Sequence, residues 1–95
     1  MRNYEFTVIF DSNEEMTAKG LDLITAEFNT AQVEITKQDD MGVRNLAYSI
    51  KKQDKGHYYY FELKADPSTI NGFNNSFKLM QPVLKFLFVN NSEQA

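Results

Sequence analysis

Apolar and polar residues alternate at the start of the chain. Tyr4, Phe6, Val8 and Phe10 share one parity, Glu5 and Thr7 take the other, and Ile9 is the one apolar residue on that second face. A period of two is that of a half-buried strand, and it predicts a first strand over about residues 2–10. Ser12 and Glu15 then have the spacing of a capping box, and Met16, Gly20, Leu21, Ile24, Phe28 and Ala31 recur at helical intervals. Together they predict an amphipathic helix over about residues 13–30. Gly20 costs such a helix about 1 kcal/mol relative to alanine, so it either weakens the element or marks a close approach to a neighbour.

Alternation resumes at Val33 and Ile35, breaks at Asp39-Asp40-Met41-Gly42, and returns in Arg44, Leu46, Tyr48 and Ile50. The pattern predicts one long bent strand with an irregularity near Gly42, where glycine can adopt the positive φ of a bulge. Gln53-Asp54-Lys55-Gly56 reads as a turn, and the β-prone run from His57 to Ala65 should hairpin back on the second strand. Within it Tyr59, Phe61, Leu63 and Ala65 fall on one face and Tyr58, Tyr60, Glu62 and Lys64 on the other. Asp66-Pro67 supplies a helix cap and a proline at the first helical position, with Ile70, Phe73, Phe77 and Met80 on the buried side. Pro82 ends that helix, and residues 83–89 form a last apolar strand.

The order β-α-β-β-α-β predicts an α+β, ferredoxin-like sandwich: a four-stranded, mainly antiparallel sheet with both helices on one face and the other face open. Ninety-five residues suit a single domain over residues 1–90, with 91–95 as a flexible C-terminal tail. The absence of cysteine removes disulfides and thiolate metal sites, and no run approaches the roughly 18 apolar residues of a membrane span. A cytoplasmic protein that is neither exported nor inserted is expected.

Candidate chemistry is sparse. His57 is the only histidine, and a lone histidine at a turn is ordinarily a surface residue. No nucleophile–base arrangement can be built around it, the glycines are isolated, and the adjacent acid pairs Glu14-Glu15 and Asp39-Asp40 diverge on a helix or strand. No enzyme activity, cofactor or metal is expected. Net charge is −3, which argues against nucleic acid until its distribution is considered. Residues 11–34 hold six acids and one base, whereas residues 43–64 hold five bases (Arg44, Lys51, Lys52, Lys55, Lys64) against Asp54 and Glu62. The split is either two solvated faces or one anion-binding surface. Tyr58 and Tyr60, on the open face, suit stacking on unpaired bases or burial against a protein partner.

Three segments and a turn carry a resemblance over about residues 1–90. Met1-Arg2-Asn3-Tyr4-Glu5, the run Gly42-Val43-Arg44-Asn45-Leu46-Ala47-Tyr48, Gly56-His57-Tyr58 and the late Val83-Leu84-Lys85-Phe86 are similar, in order and spacing, to the bacterial small-subunit ribosomal protein S-six family. The resemblance implies a non-enzymatic component of the small ribosomal subunit that binds the central domain of its ribosomal RNA together with the basic ribosomal protein S-eighteen. It places Arg2, Tyr4, Arg44, Asn45, Lys52 and Lys85 at RNA-proximal positions. The family has a second basic residue where this chain has Asn45, and a proline where it has Ser49. The competing reading is a regulatory or protein-docking module that binds a small ligand and homodimerises through its open face. The RNA reading needs Arg2, Arg44, Lys52 and Lys85 on one surface, and the ligand reading needs a concave pocket.

Overall fold

A computed structural model describes residues 2–90. The elements run β1 (Arg2–Asp11), α1 (Glu14–Thr30), β2 (Glu34–Ile50), β3 (Gln53–Ala65), α2 (Pro67–Lys78) and β4 (Val83–Asn90). The four strands lie in the order β2-β3-β1-β4, every neighbouring pair antiparallel, which is the ferredoxin-like arrangement. The expected tail, residues 91–95, lies outside the described residues.

The predicted parity of β1 and β3 holds. Tyr4, Phe6, Val8 and Phe10 join Tyr59, Phe61, Leu63 and Ala65 in the core, against Ile24 and Phe28 of α1 and Ile70, Phe73 and Phe77 of α2. Gly20 is the expected close approach: a Cβ there would stand 2.5 Å from Cδ1 of Phe10 and 3.0 Å from Cβ of Pro82.

Three local expectations are corrected. Asn13, not Ser12, caps α1; its side-chain oxygen accepts from the amides of Glu15 at 3.0 Å and Met16 at 3.2 Å, while Asp11 accepts from the Asn13 amide. The hairpin turn is Lys51-Lys52, not residues 53–56. Both lysines have positive φ, 50° and 66°, as a two-residue hairpin turn of the primed type requires, and Ile50 pairs with Gln53 across it. With lysine rather than glycine at both positions, the residue types there carry no turn signal. Gly56 instead sits within β3, where a Cβ would overlap Cγ2 of Ile9.

The third correction concerns β2. It is one strand, with Gly42 at φ 82° as expected, but its register shifts three times and none of its residues is fully buried. Being the outer strand, it is only partly covered: Ile35 packs against the core, and the rest of its residues stay exposed or half-exposed. Its final part runs past the end of β1 and bends across the open face to β4. There Lys51 Nζ donates to the Val83 carbonyl at 2.9 Å and Lys85 Nζ lies 3.2 Å from Tyr48 Oη. Strands on opposite edges of the sheet thus touch.

Two glycines give opposite expectations. Gly56→Ala should destabilise the protein by about 1–3 kcal/mol through overpacking against Ile9. Gly72→Ala, in α2 with nothing within 4 Å of the added methyl, should stabilise it by about 0.5–1 kcal/mol. Urea titrations of the two variants check the signs.

Candidate nucleic-acid and protein interface

The open face is laid out by the strand registers. Its first row is Glu34, Lys64 and Asn3; its second Lys37, Glu62, Glu5 and Val89; its third Asp39, Tyr60, Thr7 and Leu87; its fourth Gly42, Tyr58, Ile9 and Lys85; Arg44 stands beside Gly56 in the fifth. Leu46 and Tyr48 follow on the projecting part of β2. The carboxylates of Glu34, Glu62, Glu5 and Asp39 gather toward one end, with Lys64 and Lys37 among them, and Arg44 and Lys85 stand toward the other.

At the acidic end Glu5 and Glu62 face each other directly across β1 and β3, a like-charge pairing that destabilises a sheet. Tyr60 sits between them, its hydroxyl 3.1 Å from Oε1 of Glu5 and 3.0 Å from Oε2 of Glu62. One phenolic proton serves two carboxylates. Desolvation first, then the hydrogen bonds to Glu62 and Glu5, raise the Tyr60 pKa far above that of a free phenol, so the ring stays neutral. Lys37 is taken by Asp39 at 3.6 Å.

At the basic end each cation lies over an aromatic ring. The Arg44 guanidinium is 5.9 Å from the centre of Tyr58, and Lys85 Nζ is 5.8 Å from the centre of Tyr48. Arg44 Nε donates to the Met41 carbonyl at 3.4 Å, which steers the guanidinium within the bulge. Ile9, though on the open face, is only 9% exposed, because the Leu46 side chain and Gly56 close over it. Tyr48 is 64% exposed. Its role beside Lys85 was missed in the sequence, although the shared parity of Arg44, Leu46 and Tyr48 was the available signal.

The remaining candidates separate. Arg2 lies at the far end of β1, opposite Ala65, about 30 Å of strand away from Asp11. Lys52 occupies the hairpin turn and Asn45 the projecting part of β2, one residue out of phase with Arg44. Tyr4 is 7% exposed and belongs to the core, as its parity with Phe6 and Val8 requires. Of the four bases expected to share one surface, the geometry joins Arg44 and Lys85 and leaves Arg2 apart. Tyr58 and Tyr60 are on the open face, as expected, but at its two chemically different ends.

His57 is not a free surface histidine. Its Nε2 is 2.6 Å from Oδ1 of Asp40, its ring stacks on Tyr59 at 5.0 Å, and the Tyr59 hydroxyl donates to Oδ2 of Asp40 at 3.2 Å. The same Asp40 accepts from the Gly42 amide at 2.9 Å, so one carboxylate shapes the bulge and anchors it to β3. The hydrogen bond from His57, then that from Gly42, holds the Asp40 carboxyl below its ordinary value of 3.8. No group of three or more metal-ligating side chains occurs among the described residues, and no helix there is long and apolar enough to cross a membrane.

The fold defines a class: an α+β, ferredoxin-like protein whose two helices cover one face of a four-stranded antiparallel sheet and leave the other open. The chain belongs to the Ribosomal protein S6 family, whose pattern its residues 3–90 match. It is 37% identical over 89 residues to the small ribosomal subunit protein bS6 of Treponema denticola, covering 94% of this chain and 96% of that one. The crystal structure of 30S ribosomal protein S6 from Thermotoga maritima superposes with a TM-score of 0.86 at 22% identity, over 98% of this chain and 90% of that one. The C-terminal domain of the MgtC protein from Mycobacterium tuberculosis also shares the fold, with a TM-score of 0.65 at 10% identity over 100% of this chain and 93% of that one. Function therefore rests on the family and the surface, not on the fold. As a member of this bacterial family the protein is a component of the small ribosomal subunit, in the cytoplasm.

Lowering the pH tests the Asp40 anchor. A depressed carboxyl pKa contributes stability that is present above the unfolded value of 3.8 and is lost as pH falls through the lower folded value. Wild type should therefore melt above Asp40→Asn at neutral pH, and the gap should close in strong acid. Melting temperatures of the two proteins from pH 7 to pH 2 supply the check.

Proposed function

We propose that this protein binds the central domain of small-subunit ribosomal RNA together with ribosomal protein S-eighteen, and that it stabilises one RNA fold during subunit assembly without catalysing a reaction. The observation that carries this reading is the pair of cations, Arg44 and Lys85, set over Tyr58 and Tyr48 at one end of the open face in a chain of a ribosomal family.

Arg44 and Lys85 meet phosphate or ribose, and the tyrosine rings beneath them offer stacking faces to unpaired bases. Lys52 in the turn and Asn45 on the projecting strand extend the same end, and Arg2 makes a separate contact at the far end of β1. Tyr4 acts from the core, by fixing the strand that carries Arg2. The acidic end does the opposite work. Phosphate is repelled by Glu5 and Glu62, whereas a basic protein is attracted, and the neutral Tyr60 and exposed Val89 beside them supply apolar cover. That end is where S-eighteen docks in this reading. The two ends give the RNA and the protein partner different places on one sheet.

Binding to a central-domain RNA fragment, with and without S-eighteen, should be measured across a salt series. Arg44→Ala and Lys85→Ala should each weaken binding and lower the slope of log affinity against log salt by about 0.7–0.9. Glu5→Gln should leave RNA binding by the protein alone intact and reduce the gain from S-eighteen. Absence of binding by the folded protein in either condition would overturn the reading in favour of a ligand-binding or protein-docking module.

A further inference from the structure

Three lysines from separate parts of the chain, Lys51, Lys78 and Lys85, meet at the head of β4. They rim a cleft of about 310 Å³ whose floor is Phe77, Leu84 and Phe86. Lys51 stands in the hairpin turn, and its Nζ donates to the Val83 carbonyl at 2.9 Å, which draws the side chain across to β4. Lys85 Nζ lies 3.2 Å from Tyr48 Oη on the open face, and Lys78 ends α2 on the other side of the sheet.

No carboxylate neutralises this cluster. The ion pairs among the described residues are those of Lys37 with Asp39 and of His57 with Asp40, so none of the three ammonium groups has one. Each ammonium carries three donors, of which Lys51 uses one on Val83 and Lys85 one on Tyr48. Like charges gathered at the mouth of an apolar cleft repel one another, and the low-dielectric wall concentrates their field. An anion in the cleft relieves that repulsion and takes up the remaining donors. The dipole at the end of α2 accounts for Lys78 alone. It does not account for Lys51, whose long side chain is ordered against β4 at a cost in rotamer entropy.

We propose that Lys51, Lys78 and Lys85 form a phosphate subsite, which holds a backbone phosphate of an RNA strand as it passes from the open face around the head of β4 toward α2. This subsite rests on the RNA reading above and adds Lys51 and Lys78 to it. Lysines bind phosphate as point charges, without the fixed geometry of a guanidinium, so three of them converging from separate elements can share the oxygens of one group. Lys85 belongs both to the open face and to the cleft. The cations therefore run without a break from Arg44 through Lys85 to Lys51 and Lys78, and that continuity selects a nucleic-acid strand as the occupant.

Two measurements test the proposal. Sodium tripolyphosphate, titrated into the isotope-labelled full chain and followed by NMR, should shift the amides of residues 51, 78 and 83–86 and leave those of residues 14–30 in place. In binding to the central-domain RNA fragment with S-eighteen, Lys78→Gln should lower the slope of log affinity against log salt by about 0.7–0.9, and Lys51→Gln combined with it by about twice as much. Lys19→Gln, at an exposed residue of α1, should change neither result. If Arg44→Ala lowers the slope while Lys51→Gln and Lys78→Gln do not, the subsite is overturned and the RNA reading stands. If Arg44→Ala also leaves RNA binding unchanged, both fall. Tripolyphosphate shifts without any effect of the lysine variants on RNA would assign the cleft to a free phosphate ligand, and equal shifts with an oligoglutamate peptide would assign it to an acidic protein segment; either result overturns the proposal.

Discussion

Phe6 is the point on which this structure closes. Its ring stacks on Phe88 of β4 at 4.3 Å, meets Phe28 of α1 edge-on at 5.6 Å, and lies 5.6 Å from Phe77 of α2 and 5.7 Å from Phe61 of β3. Every element except β2 contributes a ring to that one contact. Aromatic pairs of this kind add about 0.5–1.5 kcal/mol each beyond the area they bury. The more important effect is directional. Phenylalanine is apolar on all sides, so a core built from it needs no polar atom inside, and among the described residues the only buried side chain outside the aliphatic and aromatic set is Thr17, whose hydroxyl donates to the Asp11 carbonyl at 2.6 Å. The helix-covered face thus supplies the stability, and the opposite face is released from that duty.

That release explains why the open face can hold arrangements that a sheet would otherwise avoid. Two glutamates face each other across β1 and β3 with one phenol between them, and two cations rest over tyrosine rings, Tyr58 half-buried and Tyr48 exposed. The facing glutamates are a small local cost carried by the packing on the other side, and the cation–ring contacts are mildly favourable. β2 shows the same division in another form. It gives almost nothing to the core, yet its bulge, held by Asp40 to Gly42, His57 and Tyr59, aims Arg44, and its projecting end delivers Tyr48 and Lys51 to β4. The outer strand serves to position chemistry, and for that purpose irregularity is useful.

Much of this was legible in the sequence. Period-two alternation in β1 and β3 placed each residue on its correct face, because both strands have one face against an all-apolar core and the pattern is then unambiguous. Asp66-Pro67 fixed the start of α2 for an equally local reason, with Asp66 accepting from the Ser68 amide. Where reading failed, the deciding interaction was distant. Gly56 looked like a turn residue, but its requirement is the methyl of Ile9 on another strand. Lys51-Lys52 read as part of a basic stretch with no turn-forming residue in it, but the two-residue loop between Ile50 and Gln53 takes positive φ at both positions. His57 seemed solitary because its partner, Asp40, is seventeen residues away. The candidate site was legible in its residue types more than in its layout. Parity gave the open face for Tyr58 and Tyr60, but only the strand registers reveal that they belong to opposite ends of it, and that Arg2 and Arg44 lie far apart.

The net charge of −3 then ceases to be an objection to phosphate binding. Total charge matters to a polyanion at long range, but at physiological ionic strength the Debye length is about 8 Å. Glu62 and Gly56, which mark the acidic row and the row of Arg44, are six residues apart on β3, or about 20 Å. Solvent-exposed charges at that separation are largely screened from one another, so a phosphate brought to the hairpin end would meet Arg44, Lys85 and Lys52 and little of Glu5 or Glu62. The hydrogen bonds that hold the acids to Tyr60 keep them at their own end. A chain can therefore be acidic in sum and basic where it matters, provided that its strands are long compared with the screening length and in register.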